Sequence, residues 1–294
     1  MKNILLHLRI PFSFFLLPIF LFALSQSPQP DTAKTWWVFF ILHFLLFPAS
    51  NAYNSYYDKD EGSIGLLETP PPVTKELYYV AWAFDILALV LGWLYVSESF
   101  TGYLLIYGFI SKAYSHPLVR LKKYPIWSWV VVTIFQGALT YLAVFQSINN
   151  MQTFELLIPQ LLPALVCTSN LLAIYPLTQV YQHEEDAKRG DMTMSRLLGI
   201  RGTFINSCFW LLLSGGGYLV YFGFTLPLLL LVILLFPLLA FFGWWTWNTW
   251  QDERNANFRN TMWLNVLASV CLNTFFGILC FYNVPNILII TRTG

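Results

Sequence analysis

The sequence predicts an all-α, polytopic membrane protein with nine transmembrane helices. Three observations carry this expectation. Of 294 residues, 57% are hydrophobic and only 11% are charged, and the mean hydropathy is +0.58, which a water-soluble globule of this size rarely reaches. Nine apolar runs come close to the roughly 20 residues that a helix needs to cross a bilayer. Between these runs lie short polar stretches that hold nearly all of the Lys and Arg.

The candidate spans are about 10–26, 35–52, 76–97, 101–117, 126–146, 157–180, 203–222, 225–247 and 262–285. The first has no small-residue cleavage site after it and is expected to be a retained helix. Pro11, Pro18, Pro48, Pro159, Pro163 and Pro176 fall inside spans, where neighbouring helices can satisfy the freed backbone groups. Cys167, Cys208, Cys271 and Cys280 all sit in apolar runs without CxxC spacing. They are expected to be buried free thiols and carry no metal signal. His43, in the second span, reads as a satisfied interhelical histidine, and Asp85, in the third, as an acid paired with a neighbouring helix.

Net charge is only +1, but its distribution is lopsided. With the N-terminus in the cytoplasm, nine spans put segments 51–75, 118–125, 181–202 and 248–261 on the inner side. Among the cations outside the spans, only Lys34 and Arg292 then face outward. Cationic segments resist translocation, so the expected topology is N-in, C-out, and the inner polar segments face the cytoplasm.

Two of those inner segments match each other. "YNSYYDKDEG" (53–62) and "YQHEEDAKRG" (181–190) both fit Tyr-[Asn/Gln]-x-x-x-Asp-x-x-x-Gly, and each follows an even-numbered span. At helical spacing Asn51, Asn54 and Asp58 share one face, as do Gln179, Gln182 and Asp186. The first motif stands four helices before the second. This suggests a duplicated four-helix unit, about 10–125 and 126–247, with a ninth helix (about 262–285) appended to form a single domain, 1–294.

Two acid clusters at the edge of hydrocarbon are costly unless a cation lies between them. Oxygen ligands of this kind suit Mg²⁺, which keeps several waters and bridges protein carboxylates to substrate phosphates. Cations for those phosphates are at hand in Lys112, in Arg120, Lys122 and Lys123 of "SHPLVRLKKYP", and in Lys188 and Arg189. Acids and bases on one membrane face describe a diphosphate site. Asp60, Glu61, Glu184 and Glu185 are close enough in sequence to supplement it, although an ideal helix points them elsewhere. Tyr53, Tyr57, Tyr114 and Tyr181 flank the motifs as packing residues or hydrogen-bond donors. No Gly-rich phosphate loop, Ser/His/Asp set or zinc spacing appears, and nothing suggests nucleic acid.

At these residues the sequence resembles the UbiA superfamily of intramembrane prenyltransferases. That family carries N-D-x-x-D-x-x-x-D after its second helix and D-x-x-x-D-x-x-x-G after its sixth. Here "NSYYDKDEG" supplies Asn54 and Asp58, and "QHEEDAKRG" supplies Asp186 and Gly190. "DMTMSRLLGIRGT" resembles the family's continuation through Thr193 and Gly199, and "SKAYSHPLVRLKKYP" its segment after the fourth helix. The chain departs from the pattern at Ser55 and Gly62, where the first motif has acids. It departs again at Gln182, where the second has Asp, and at "PPPV" (70–73), which lacks the usual preceding Arg.

The resemblance implies a central cavity open to the cytoplasm. It also implies Mg²⁺-dependent transfer of a polyprenyl group from its diphosphate to a lipophilic, aromatic acceptor, as in quinone biosynthesis. A terpene cyclase or a non-catalytic prenyl-binding protein are the alternatives. On that basis Asp58, Asp186 and Lys112 are the expected catalytic residues, and Asp58, Asp60, Asp186 and Glu185 the metal set. Asn51, Asn54, Gln182, Arg120, Lys122, Arg189 and Tyr114 are expected to bind substrate. The expected location is a bacterial inner membrane.

Overall fold

The computed structural model describes residues 2–151 and 158–282. A helix stands at each of the nine expected positions: α1 (Lys2–Ser25), α2 (Thr32–Asp58), α3 (Glu76–Tyr95), α4 (Glu98–Ser115), α5 (Pro125–Ile148), α6 (Ile158–Lys188), α7 (Met194–Phe222), α8 (Leu226–Gln251) and α9 (Phe258–Tyr282). All but α4 are long and apolar enough to cross a membrane. α4 spans 18 residues, about 27 Å at 1.5 Å per residue, but Glu98, Lys112 and several serines and tyrosines dilute its apolar run. Residues 157 and 283–285 of the expected sixth and ninth spans, and the outer residue Arg292, lie outside the described residues. Among those described there is no strand, only an isolated bridge between Ile64 and Leu67.

Several helices are interrupted where the sequence demands it. α1 breaks at Arg9, whose φ of 46° is left-handed, and resumes through a 3₁₀ turn that begins with Ile10 and Pro11. α2 widens into a π turn at Ile41–Leu46 just ahead of Pro48, which has no N–H to give to the preceding turn. α5 makes a similar π turn at Phe135–Leu139. There Gly137 crosses α6 so closely that a Cβ would stand 2.7 Å from the Thr168 Cα. α6 tightens to 3₁₀ geometry at Val180–Gln182, shortly after the internal Pro176. α2 and α6 thus run on past their apolar spans and carry the paired motifs out on their ends.

Apolar side chains meet inside the bundle, with Phe22, Tyr141, Phe275 and Phe276 almost without exposure. Large apolar residues such as Phe109, Leu212 and Val220 cover the outside, as hydrocarbon surroundings permit. His43 is buried among the rings of Phe20, Phe39 and Phe47, and its Nδ1 pairs with the Ser13 carbonyl at 3.1 Å. It is interhelical, as the sequence suggests, but only half satisfied, since its buried Nε2 has no hydrogen-bond partner. Asp85 of α3 is paired with Lys112 of α4, also as expected of an acid in that position. Of the four cysteines, Cys167 and Cys271 are buried, whereas Cys208 is exposed on the apolar exterior.

Candidate functional site

Where α2 and α6 end, their motif residues line one cavity together with α1, α4, α5 and the loop after α2. Asn51, Asn54 and Asp58 descend one face of α2 into it, and Gln179, Gln182 and Asp186 do the same from α6. The helical spacing that put each trio on one face therefore also puts the two trios opposite each other. Asp60, Tyr114, Lys122 and Arg189 line the same space.

Asp58 is held from two sides. Asn54 Nδ2 donates to its Oδ2 at 2.7 Å, and Lys122 Nζ to its Oδ1. The same Asn54 nitrogen reaches Ser115 Oγ of α4 at 2.8 Å. Lys122 also stands 3.1 Å from Asp191 Oδ2. Arg120 closes on Asp191 as a two-pronged fork, with Nε and Nη2 at 2.8 and 2.9 Å from its two oxygens. Burial raises the Asp191 carboxyl, but this fork and Lys122 more than offset that and hold it below the usual carboxylate range. Arg120 thus does not line the cavity. It anchors Asp191, which in turn steadies Lys122.

Asp186 is less committed. Its Oδ2 accepts from Thr193 Oγ1 at 3.2 Å, and among the described residues it makes no ion pair. Gln182 Nε2 donates to the Ser63 carbonyl at 3.0 Å, tying the α2–α3 loop across the mouth of the cavity. Arg189 reaches the same loop through an ion pair with Asp60. Burial and the nearby Asp58 charge push the Asp60 carboxyl up, against the pull of Arg189. Tyr114 accepts from Tyr175 OH at 2.8 Å on the cavity wall.

Besides Arg120, which the sequence assigned to substrate, two more expected residues are placed elsewhere. Lys112 does not line the cavity; it turns toward α3, pairs with Asp85 and lies over the rings of Tyr53 and Trp82. Its neighbours Ser111, Tyr114 and Ser115 take the cavity face of α4, and one residue's rotation of 100° carries Lys112 away from them. Glu185 does not line the cavity either. Its Oε1 and Oε2 accept the backbone N–H groups of Glu61 and Gly62, each at 2.9 Å, and Oε1 also meets Arg189. Glu185 is a clasp on the loop.

Two residues that matter here were not singled out from the sequence. Asp191 follows the second motif directly, but its importance comes from the Arg120 and Lys122 of a distant loop. Arg9 reads from sequence as one more inward-facing cation. In the structure it is 8% exposed at the break in α1, lines the cavity, lies over the Phe12 ring and donates to the Asn51 carbonyl at 3.3 Å. Its Nε has no partner, and it makes no ion pair among the described residues. The break before Pro11 is the only local signal for it.

The donor chemistry suits a hard dication. Asn54 and Gln182 spend their amide N–H groups on protein partners, which leaves their carbonyl oxygens available beside Asp58 and Asp186. No cluster of three or more His, Cys, Asp or Glu forms a ready-made cage among the described residues. Mg²⁺ does not need one, because it keeps waters and completes its shell with substrate phosphates.

The polar cavity continues into an apolar chamber, sharing Phe12, Gln136, Tyr175 and Thr178 with it. A helical bundle in which a charged vestibule opens into a greasy chamber has room for a charged head and an apolar tail. The family model of the UbiA prenyltransferase family matches residues 15–284. The chain belongs to that family. A UbiA homologue from Archaeoglobus fulgidus bound to GPP and Mg²⁺ superposes with a TM-score of 0.69 at 18% identity, covering 95% of this chain and 99% of that one. The same homologue bound to DMAPP and Mg²⁺ gives 0.66 at 17% identity, with the same coverage. A structure concerned with digeranylgeranylglyceryl phosphate synthase gives 0.58 at 18% identity, over 95% and 98% of the two chains. Comparison with curated proteins yields no match.

Proposed function

We propose that the chain transfers a polyprenyl group from an allylic diphosphate to a lipophilic acceptor of the aromatic, quinone-precursor kind. The observation that carries this is the opposition of Asp58 and Asp186 across a vestibule that also holds Arg9, Lys122 and Arg189 and opens into an apolar chamber. Such a site matches a ligand with a multiply charged head and a hydrocarbon tail. The family and the Mg²⁺-bound, prenyl-diphosphate-bound neighbours support the same chemistry.

Asp58 and Asp186, with the carbonyl oxygens of Asn54 and Gln182, would hold Mg²⁺, which when bound neutralises diphosphate charge and makes it a better leaving group. Lys122, steadied by Asp58 and Asp191, and Arg189, steadied by Asp60 and Glu185, present N–H donors to the phosphate oxygens. Arg9 adds a buried cation that makes no ion pair among the described residues. The C1–O bond of the allylic diphosphate breaks with both electrons going to diphosphate. The acceptor's nucleophilic atom bonds to C1, and its proton passes to solvent. Tyr107, Tyr114, Phe135 and Tyr175 line the vestibule, and ring faces stabilise a developing allylic cation. Lys112 takes no part in this scheme.

The test is direct. Purified protein is incubated with allylic diphosphates and a quinone-precursor phenol, with and without Mg²⁺, and products are read by mass spectrometry. Prenylated phenol with Mg²⁺-dependent diphosphate release is the expected result. A cyclised hydrocarbon without acceptor would replace the transfer reading with a cyclase. No release at any tail length would leave a prenyl-binding protein.

A further inference from the structure

The apolar chamber has a floor. It runs between α1, α6 and α9, each of which gives it a stripe of side chains that descends in step. On α1 the stripe runs from Phe12 to Ile19 and Phe22, on α6 from Tyr175 through Leu171 to Cys167, and on α9 from Ala268 through Leu272 to Phe276. At the far end the rings of Phe22 and Phe276 stack, with centroids 4.3 Å apart and planes within 19°. Tyr218 of α7 closes the remaining side.

This wall is backed in depth. Phe22 also meets Tyr141, Tyr221 and Phe222 within 6.2 Å. Tyr218 is fixed by Asn170 Nδ2, which donates to its OH at 2.9 Å. Phe22 and Phe276 are 0% and 1% exposed. Packed interiors resist the entry of even one extra methylene, so a tail that reaches these rings stops there.

The helices measure the depth. Tyr175 to Cys167 and Ala268 to Phe276 are eight residues each, about 12 Å at 1.5 Å per residue, and Phe12 to Phe22 on α1, which starts in a 3₁₀ turn rising about 2.0 Å per residue, is about 16 Å. With C–C bonds of about 1.5 Å, an extended isoprenoid unit advances roughly 5 Å along its four-carbon backbone. We propose that Phe22 and Phe276 form a length gauge, which accepts a tail of about three isoprenoid units and turns longer ones away. This rests on the prenyl-diphosphate reading of the vestibule and adds to it the size of the donor.

Diphosphates of five, ten, fifteen and twenty carbons are compared on the intact protein by diphosphate release and by calorimetric binding in the presence of Mg²⁺. Preference should climb to fifteen carbons and fall by about tenfold or more at twenty, in line with the discrimination a tight apolar pocket gives. Phe22→Leu and Phe276→Leu should each raise the twenty-to-fifteen ratio about tenfold. Ala268→Phe, which fills the chamber partway down, should move the optimum toward ten carbons. A ratio unchanged in all three variants, or a wild-type protein that takes twenty carbons as readily as fifteen, would overturn the gauge. If no diphosphate is released at any length, the transfer proposal fails. The calorimetric ranking of the four diphosphates then still decides the gauge by the same criterion.

Discussion

The ends of α2 and α6 carry the same spacing of amide, carboxylate and glycine, yet their acids live in different surroundings. Asp58 is braced by Lys122 and Asn54, and its side chain is 7% exposed. Asp186 has the Thr193 hydroxyl and no ion pair among the described residues. The difference comes from what the following loops supply. The α4–α5 loop pairs Lys122 directly with Asp58 and makes no ion pair with Asp186, and the residue after the second motif, Asp191, is used to hold that lysine in place. One carboxylate is part of a charge network that exists before any ligand arrives, and the other stands ready for a cation. Matching spacing sets which face a residue occupies, whereas its electrostatic state is set by neighbours far away in sequence.

The comparison would collapse altogether if the two ends lay on opposite sides of the membrane. Single cysteines at Ser63 and at the exposed Lys188, in a background without native cysteines, should resist impermeant thiol reagents in intact cells and react once the membrane is opened. This follows from the inward clustering of Lys and Arg. Labelling of just one of them from outside would break the shared vestibule as well as the topology.

Charge removal is the next largest effect. Asp58→Asn and Asp186→Asn should each lower diphosphate release by about 10²–10³, the scale for losing one preorganised electrostatic group. Only Asp58→Asn should also lower thermal stability. It leaves Lys122 short of one partner, and removing half of a buried pair costs about 3–5 kcal/mol when nothing replaces it; the Asp191 contact moderates that loss. Equal melting temperatures for the two variants would erase the distinction between braced and open acid.

A smaller effect is expected of Gln182→Asp, which places a second carboxylate beside Asp186. The half-saturating Mg²⁺ concentration should fall several-fold, because added ligand charge tightens hard-cation sites. The Gln182 tie to the Ser63 carbonyl is lost in this variant, so loop protection by hydrogen exchange serves as the control. An unchanged Mg²⁺ requirement would place Gln182 outside the metal's reach.

The smallest effect concerns acid. Because the Asp191 carboxyl lies below its ordinary value of 3.8, its contribution to stability is complete above that value and is lost as pH falls through the depressed one. Asp191→Asn should therefore lower stability at neutral pH and flatten the acid limb of the melting curve. A variant with an unaltered acid limb would remove Asp191 from the network that braces Lys122.

Much of this was legible in the sequence. Long apolar runs marked the helices, α4 least clearly among those described, since length and hydropathy are local properties. The two trios were legible because 3.6-residue periodicity fixes faces along one helix. Which neighbour a face meets is not local, and the misses follow from that. Lys112 is one position from the cavity face of α4, and only the packing of α3 shows that Asp85 claims it. Glu185 adjoins Asp186, but it is spent on two backbone amides of a loop 123 and 124 residues earlier. Arg9 lies in a segment whose charge reads as a topological marker, and its burial depends on α2 and the loop after it.

The Asp85–Lys112 pair bears on how the chain enters its membrane. α4 alone would carry a buried ammonium group in its last turn, at a cost below the about 2.5–3.5 kcal/mol that translocon scales give at mid-helix. α3 alone would carry a carboxylate. Joined by the short turn at Val96–Ser97, they are neutral together, and Tyr53 of α2 lies beside the paired lysine. α3 and α4 are therefore best regarded as one unit of biogenesis, a hairpin that partitions from the translocation machinery together. The least apolar helix of the bundle has its one ammonium group matched by an acid made just before it on the ribosome.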